Sequence, residues 1–258
     1  DTLMGMKKFQ EAIEVFRTYI QHFPSGPDWA ASQRAIVDAQ YSIGKTAYDD
    51  GDYPAARKAW SEFLAANPIS TRSANVSYLS ADSFAKEALT KDKTAKSPES
   101  IALFQSALKA FENVAKKNPG SDDASLSLFR MGQIYEDRLL DLATAIETFR
   151  LCTFGASFWD AQTRLADMLE ESLQIRTPGT IRSTEVPSIE VTTRNLEELK
   201  IELYALDLEA YFRRHKTHRS VENLDLDLIQ ADKSFLHKPA PGSKHERLIE
   251  TVPLPIDG

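Results

Sequence analysis

Apolar side chains in the first two-thirds of the chain recur three and four positions apart, the period of an amphipathic helix. In "FQEAIEVFRTYIQHFP" they stand at Phe9, Ala12, Phe16, Tyr19 and Ile20, and Pro24 closes the segment. The same offsets return in "YPAARKAWSEFLAANP" at Tyr53, Ala56, Trp60, Phe63, Leu64 and Pro68. They return again in "FQSALKAFENVAKKNP" at Phe104, Ala107, Phe111, Val114, Ala115 and Pro119. A fourth segment, "LATAIETFRLCTF", keeps Leu142, Ala145, Phe149 and Cys152 without the proline. Shared offsets across separate segments mark an internal repeat. Each segment predicts a helix that proline ends, because proline cannot continue the backbone ladder. The alanine is small where a partner helix must come close.

That partner is predicted just upstream, in "AQYSIGKTAYDD" for the second copy and "LSLFRMGQIYEDR" for the fourth. Gly44 and Gly132 then sit at the tight crossings. A mid-helix glycine costs about 1 kcal/mol relative to alanine, so close packing is the reason to place one there. The residues expected to carry the packing are therefore Ala12, Phe16, Gly44, Ala56, Trp60, Ala107, Phe111, Gly132, Ala145 and Phe149.

The pattern changes near residue 176. Trp159 to Ile175 reads as one more helix, Pro178 and Gly179 stop it, and residues 177–187 read as a linker. "SIEVTTRN", 188–195, alternates with β-branched residues and predicts a strand. In "LEELKIELYALDLEAYFRRHKTH", Leu199, Ile201 and Leu203 alternate with Lys200 and Glu202 as in a strand. Asn195 followed by Glu197 and Glu198 would equally open a long helix.

Composition narrows the class. The 258 residues are 42% hydrophobic and 27% charged, with a net charge of −7. This is a globular balance, and its sign argues against nucleic acid or an anionic membrane as the main partner. No apolar run reaches the roughly 18 residues that a membrane-spanning helix needs. The single cysteine, Cys152, allows no internal disulfide. The chain opens inside a helical pattern, which predicts a mature or cut product.

The helical segments resemble the tetratricopeptide repeat, two antiparallel helices per copy. Ile43-Gly44 and Met131-Gly132 match its first helix, and Ala56, Trp60 and Pro68 with their equivalents match its second. The alanine-to-alanine intervals of 44, 51 and 38 residues exceed the family's period of about 34. The extra residues are expected in longer helices or loops such as "TKDKTAKSPES", and the first copy lacks its first helix. The endings "HFPSGPDWA" and "KNPGSDDA" are similar to bacterial envelope versions, including subunits of outer-membrane assembly machinery. The resemblance implies a helical-hairpin solenoid over 1–176, with first helices lining a groove. There Tyr41, Lys45 and Tyr48 are expected to point into the groove, with Phe129, Gln133 and Glu136 as their counterparts. Exposed rings beside charges suit an extended peptide; the alternative is that they cover a neighbouring helix. Tyr41, Lys45 and Asp49 stand where some cytosolic relatives carry a Lys/Asn clamp for a C-terminal carboxylate, and Asp49 would repel that group.

Residues 188–258 resemble the start of the macroglobulin-like region of bacterial alpha-2-macroglobulin family proteins. The match rests on "TRNLEEL", the run from Tyr204 to Arg213, and "VENLDLDLI". It implies a partial β-sandwich, a strand to about Leu206, a short helix from Asp207 to Arg214, and a much longer protein that traps proteases. The family's thioester needs Cys-x-Glu-Gln, whereas Cys152 is followed by Thr153-Phe154-Gly155. Cys152 therefore reads as a buried repeat residue, and no bait segment is visible.

Other constellations are weak. "HKTH" pairs His215 with His218 but lacks a third ligand and sits among cations. "HERLIE" has Glu250 where a zinc-protease helix needs histidine. "NLDLDLIQAD" has Ile229 and Gln230 where a calcium loop needs a ligand and glycine. No catalytic residues, cofactor or metal are expected. The fold expected is mainly α, a tetratricopeptide-like solenoid followed by a partial β-sandwich. The function expected is a non-catalytic scaffold at the front of a protease-trapping protein, in the periplasm or envelope. Its partner would be a protein or peptide: a protease, or another part of the same long chain. The alternative is a free-standing envelope adaptor of the repeat class.

Overall fold

The computed structural model describes residues 2–93, 97–177, 186–205, 207–215, 230–242 and 245–255. They fall into two compact units, 1–167 and 168–258.

The first unit is helical. It comprises α1 (Thr2–Gly5), α2 (Phe9–His22), α3 (Trp29–Asp49), α4 (Tyr53–Ala66), α5 (Ser73–Lys91), α6 (Pro98–Lys117) and α7 (Asp122–Ile134). A π-helical turn, Tyr135–Leu139, extends α7, and α8 (Leu142–Leu151) and α9 (Phe158–Leu169) follow. The boundaries follow local chemistry. Carboxylates of Asp52 and Asp141 and hydroxyls of Ser97 and Ser121 accept backbone N–H groups at the starts of α4, α8, α6 and α7, satisfying donors that a helix leaves open. Phe23, Asn67 and Asn118 close α2, α4 and α6, each directly before a proline.

The repeat alignment is what builds the core. Trp60, Phe111 and Phe149 are all 0% exposed, as are Ala56, Ala107 and Ala145. A Cβ on Gly44 would lie 2.2 Å from Trp60 Nε1, and one on Gly132 would lie 2.3 Å from Phe149 Cε1. Each glycine on a first helix thus admits the large ring of its second helix. The cores run on from pair to pair: Ile13, Ile36 and Ala39; then Tyr48, Trp60, Phe63 and Val76; then Tyr78, Phe104, Phe111 and Ile134. The short α1 stands where the first copy lacks its first helix.

One helical expectation fails. The segment expected as helix from Trp159 to Ile175 is α9, which stops at Leu169, followed by strand β1 (Ser172–Arg176). β1 pairs with a strand of the second unit, Ile175 opposite Val191. This pairing outweighs a helical pattern that weakens after Leu169.

The second unit also contains β2 (Ser188–Arg194), β3 (Leu199–Leu203), α10 (Leu208–His215), β4 (Lys233–His237) and β5 (Leu248–Pro253). β2 covers the segment expected as a strand, and β3 and α10 match the strand-then-helix expectation, with β3 ending at Leu203 rather than Leu206. One antiparallel sheet has the order β1-β2-β5, and β3 pairs with β4 in a second. Val191 and Val252 from the first sheet meet Leu199, Ile201 and Phe235 from the second in one small core. Asn195 adopts the left-handed conformation, φ +57, and donates from Nδ2 to the carbonyls of Met168 and Glu170 at 3.0 Å each.

Candidate functional site

The helical unit presents one face built from α3, α5 and α7, joined by polar side chains. Tyr48 on α3 donates its hydroxyl to Oδ2 of Asp82 on α5. Asp82 is 6% exposed, yet two cations approach it, Lys86 at 3.9 Å and Arg130 of α7 at 4.0 Å. Arg130 Nε also donates to the Tyr78 hydroxyl at 3.5 Å, and its Nη1 donates to Gln133 at 3.0 Å. A second line runs alongside. The Tyr41 hydroxyl donates to Asn75 at 3.4 Å, and Asn75 donates to Asp123 at 3.2 Å. Arg72 bridges to Asp38 at 2.8 Å and lies 4.7 Å over the Tyr41 ring.

A buried charge is costly unless it is paired and hydrogen-bonded, so Asp82 fixes how three helices meet. Burial, and next the Asp82 hydrogen bond, push the Tyr48 phenol far above its ordinary range. It therefore stays protonated and keeps donating. Burial also raises Tyr78, against the pull of Arg130. Burial alone would lower Arg130, but the Tyr78 hydroxyl and the Asp82 charge outweigh it and leave Arg130 above its ordinary value.

Beside this network lies a cavity of about 300 Å³ between α5, α6 and α7. Ala85, Leu89, Phe104, Phe111 and Ile134 form its apolar wall, and Lys86, Arg130, Gln133, Asp137 and Arg138 its polar rim. The π-helical turn supplies Asp137 and Arg138, and Leu140 closes that turn in the left-handed conformation, φ +55. Single π turns inside helices are frequent at functional sites.

The groove residues expected from sequence are partly gathered here. Gln133 lines the cavity. Tyr41 is half-buried under Arg72, and Lys45 holds Asp49 at 2.5 Å. Tyr48 departs from the expected exposed ring. It is 8% exposed and packed against Tyr53 and Trp60, because its hydroxyl must reach Asp82. Phe129 leans onto Phe149, centroids 5.9 Å apart, and Glu136 accepts from Arg164 of α9 at 2.6 Å, so neither lines the cavity. Sequence reasoning missed Asp82, Lys86, Arg130 and Arg138. The available signal was Asp82 itself, an acid within the apolar spacing Tyr78, Ala81, Ala85.

Cys152 is buried, and burial raises its thiol pKa although Ser125 pulls it down. Among the described residues no three His, Cys, Asp or Glu gather as metal ligands. "HERLIE" leads into strand β5 rather than a helix. Residues 216–229, with His218 and most of "NLDLDLIQAD", lie outside the described residues, as do 94–96 and most of the expected linker. No described helix is long and apolar enough to cross a membrane.

Residues 2–150 match the family of the outer membrane lipoprotein YfiO. The match covers more than half of the chain and ends inside α8. No curated protein matches the chain at a significant level.

Proposed function

Since the chain belongs to the YfiO outer membrane lipoprotein family, we propose that it is a non-catalytic envelope scaffold that holds an extended segment of a protein partner on the α3/α5/α7 face. The observation that carries this reading is the cavity of about 300 Å³ between α5, α6 and α7 beside that face, apolar within and polar at its rim. Such a surface suits a peptide whose side chains alternate between apolar and polar contacts. The rigid network around Asp82 supplies preorganisation, which lowers the entropy cost of capture. Tyr41 and Lys45 extend the face beyond the cavity, and the free-standing adaptor is thus the main reading.

The test is site-specific photo-crosslinking in envelopes. A crosslinker replacing Gln133 should give discrete protein adducts, and one replacing Lys58, exposed on α4, should give none. Adducts from Lys58 alone, or from neither site, would sink the reading.

A second reading keeps the protease-trapping expectation. It is favoured by two β layers sharing the core of Val191, Leu199 and Val252, an arrangement suited to a partial sandwich. It places any trapping chemistry outside this chain, and it predicts that a reading frame continuing beyond Gly258 encodes further β domains; a frame that stops there would remove it.

A further inference from the structure

The cavity between α5, α6 and α7 carries a more specific assignment, resting on the scaffold reading above. We propose that it recognises an internal acidic–apolar element of the partner: one large apolar side chain flanked by an Asp or Glu carboxylate. The apolar side chain would occupy the space walled by Ala85, Leu89 and Ile134, with Phe104 and Phe111 beneath. A volume of about 300 Å³ admits a single large side chain but not a folded element.

The charged groups of the rim differ in how well they are matched within the protein. Five charged residues line the cavity: Asp82, Asp137, Lys86, Arg130 and Arg138. Both carboxylates are engaged from within. Asp82 accepts from Tyr48, and Asp137 lies 3.5 Å from Arg164, which is outside the lining. The cations are less well served. Lys86 stands 3.9 Å from Asp82 and 4.3 Å over the Tyr48 ring, with 44% of its side chain exposed. Arg130 reaches Asp82 only at 4.0 Å. Arg138 makes a 3.5 Å bond from Nη1 to the Lys93 carbonyl, and no carboxylate partner for it occurs among the described residues. In a chain of net charge −7, this rim is locally cationic. Guanidinium groups offer paired donors to a carboxylate. The π-helical turn carries Arg138, which lines the rim together with Lys86 of α5.

The experiment uses the purified chain and two blocked peptides, Ac-Gly-Asp-Phe-Asp-Gly-amide and its lysine counterpart, Ac-Gly-Lys-Phe-Lys-Gly-amide. Binding is followed by calorimetry at two salt concentrations. The acidic peptide should bind, weaken with salt, and exceed the lysine peptide by about tenfold or more. R138E should cost the acidic peptide about tenfold, and K86E, on a different helix, should do the same. Circular dichroism melts establish that each variant is folded, and R138K, which keeps the charge without the paired donors, should lose less than R138E. Equal binding of the two peptides, no binding of the acidic one, or folded R138E and K86E that both bind as wild type would each overturn the proposal. Crosslinks from Gln133 in envelopes alongside any of these results would leave the scaffold reading standing and remove only the acidic–apolar element.

Discussion

The two units bury their apolar residues in different ways. In the helical unit the largest core rings are enclosed between neighbouring helices, and Trp60, Phe104, Phe111 and Phe149 are all within 1% of complete burial. In the sheet unit the described core rests on Val191, Leu199 and Val252, while Leu173 and Ile175 of β1 remain 45% and 56% exposed. Stacked pairs build a core through nearest neighbours, and every added pair covers the last. A sheet covers only what its facing layer spans: here three strands face two. The same kind of substitution should therefore cost more in the first unit than in the second.

The largest effect is expected at the glycine crossings. G132L would drive a side chain into Phe149, where even a Cβ would sit 2.3 Å from the ring. Overpacking of this kind should cost roughly 3 kcal/mol, read as a fall in the denaturation midpoint of the helical signal. A56L and A107L insert bulk at alanines that are 0% exposed, and should cost roughly 1–3 kcal/mol. Melts indistinguishable from wild type would break the alignment of the repeats.

Next comes the polar link. D82A strands the Tyr48 hydroxyl, which donates to Asp82 inside the protein. An orphaned buried donor costs roughly 1–3 kcal/mol. The sharper readout is the lone thiol. Cys152 is buried, and burial raises its pKa, so a thiol reagent should label it only through opening of the helical unit. D82A should accelerate labelling in proportion to its loss of stability. Labelling as slow as in wild type would mean that Asp82 does not hold α3, α5 and α7 together.

A smaller effect is expected at the start of α8, where Asp141 accepts from the Thr144 hydroxyl at 2.7 Å and from its backbone N–H at 3.1 Å. The side-chain bond first, and the backbone bond second, lower its pKa below the ordinary carboxylate value. Its contribution is thus present above that ordinary value and is lost as pH falls through the lowered one. Stability of the helical unit should drop more steeply below about pH 4 in wild type than in D141N, which keeps an acceptor for the cap without the charge. Parallel pH profiles for the two would remove Asp141 from the acid response.

The helical unit was the more legible one because its signals are local. Gly44 and Gly132 stand one helix hairpin before the rings they admit, at an offset that nearly repeats along the chain, and Pro24, Pro68 and Pro119 stop their helices from just beyond the ends. What was missed depends on distant partners. β1 is a strand because β2 pairs with it some twenty residues later, and "SLQIR" alone carries no mark of that. Tyr48 has the helix phase of a groove residue on α3, yet Asp82, 34 residues on, draws its hydroxyl inward. The π-helical turn has no sequence signature at all, and with it Arg138 stayed out of view. In the candidate site, then, Gln133 was readable from helix phase, while the charges around it follow from how three helices meet.

The smallest effect should come from β1, and it is the one that isolates the comparison. Leu173 and Ile175 lie opposite Thr193 and Val191 of β2. Thr193 and Val191 are each 1% exposed, so all four share the face of the sheet that turns toward the core. On that face, position in the sheet separates buried from exposed: β2 is central, with strands on both sides, and β1 pairs on one side only. V191A removes buried methyls and should cost about 1–3 kcal/mol. L173S removes a larger side chain that is already half in water, and should stay within about 0.5 kcal/mol. Urea denaturation of the two variants measures the contrast directly. If L173S costs as much as V191A, something covers β1 in solution, and the sheet unit encloses its core as fully as the helical pairs enclose theirs.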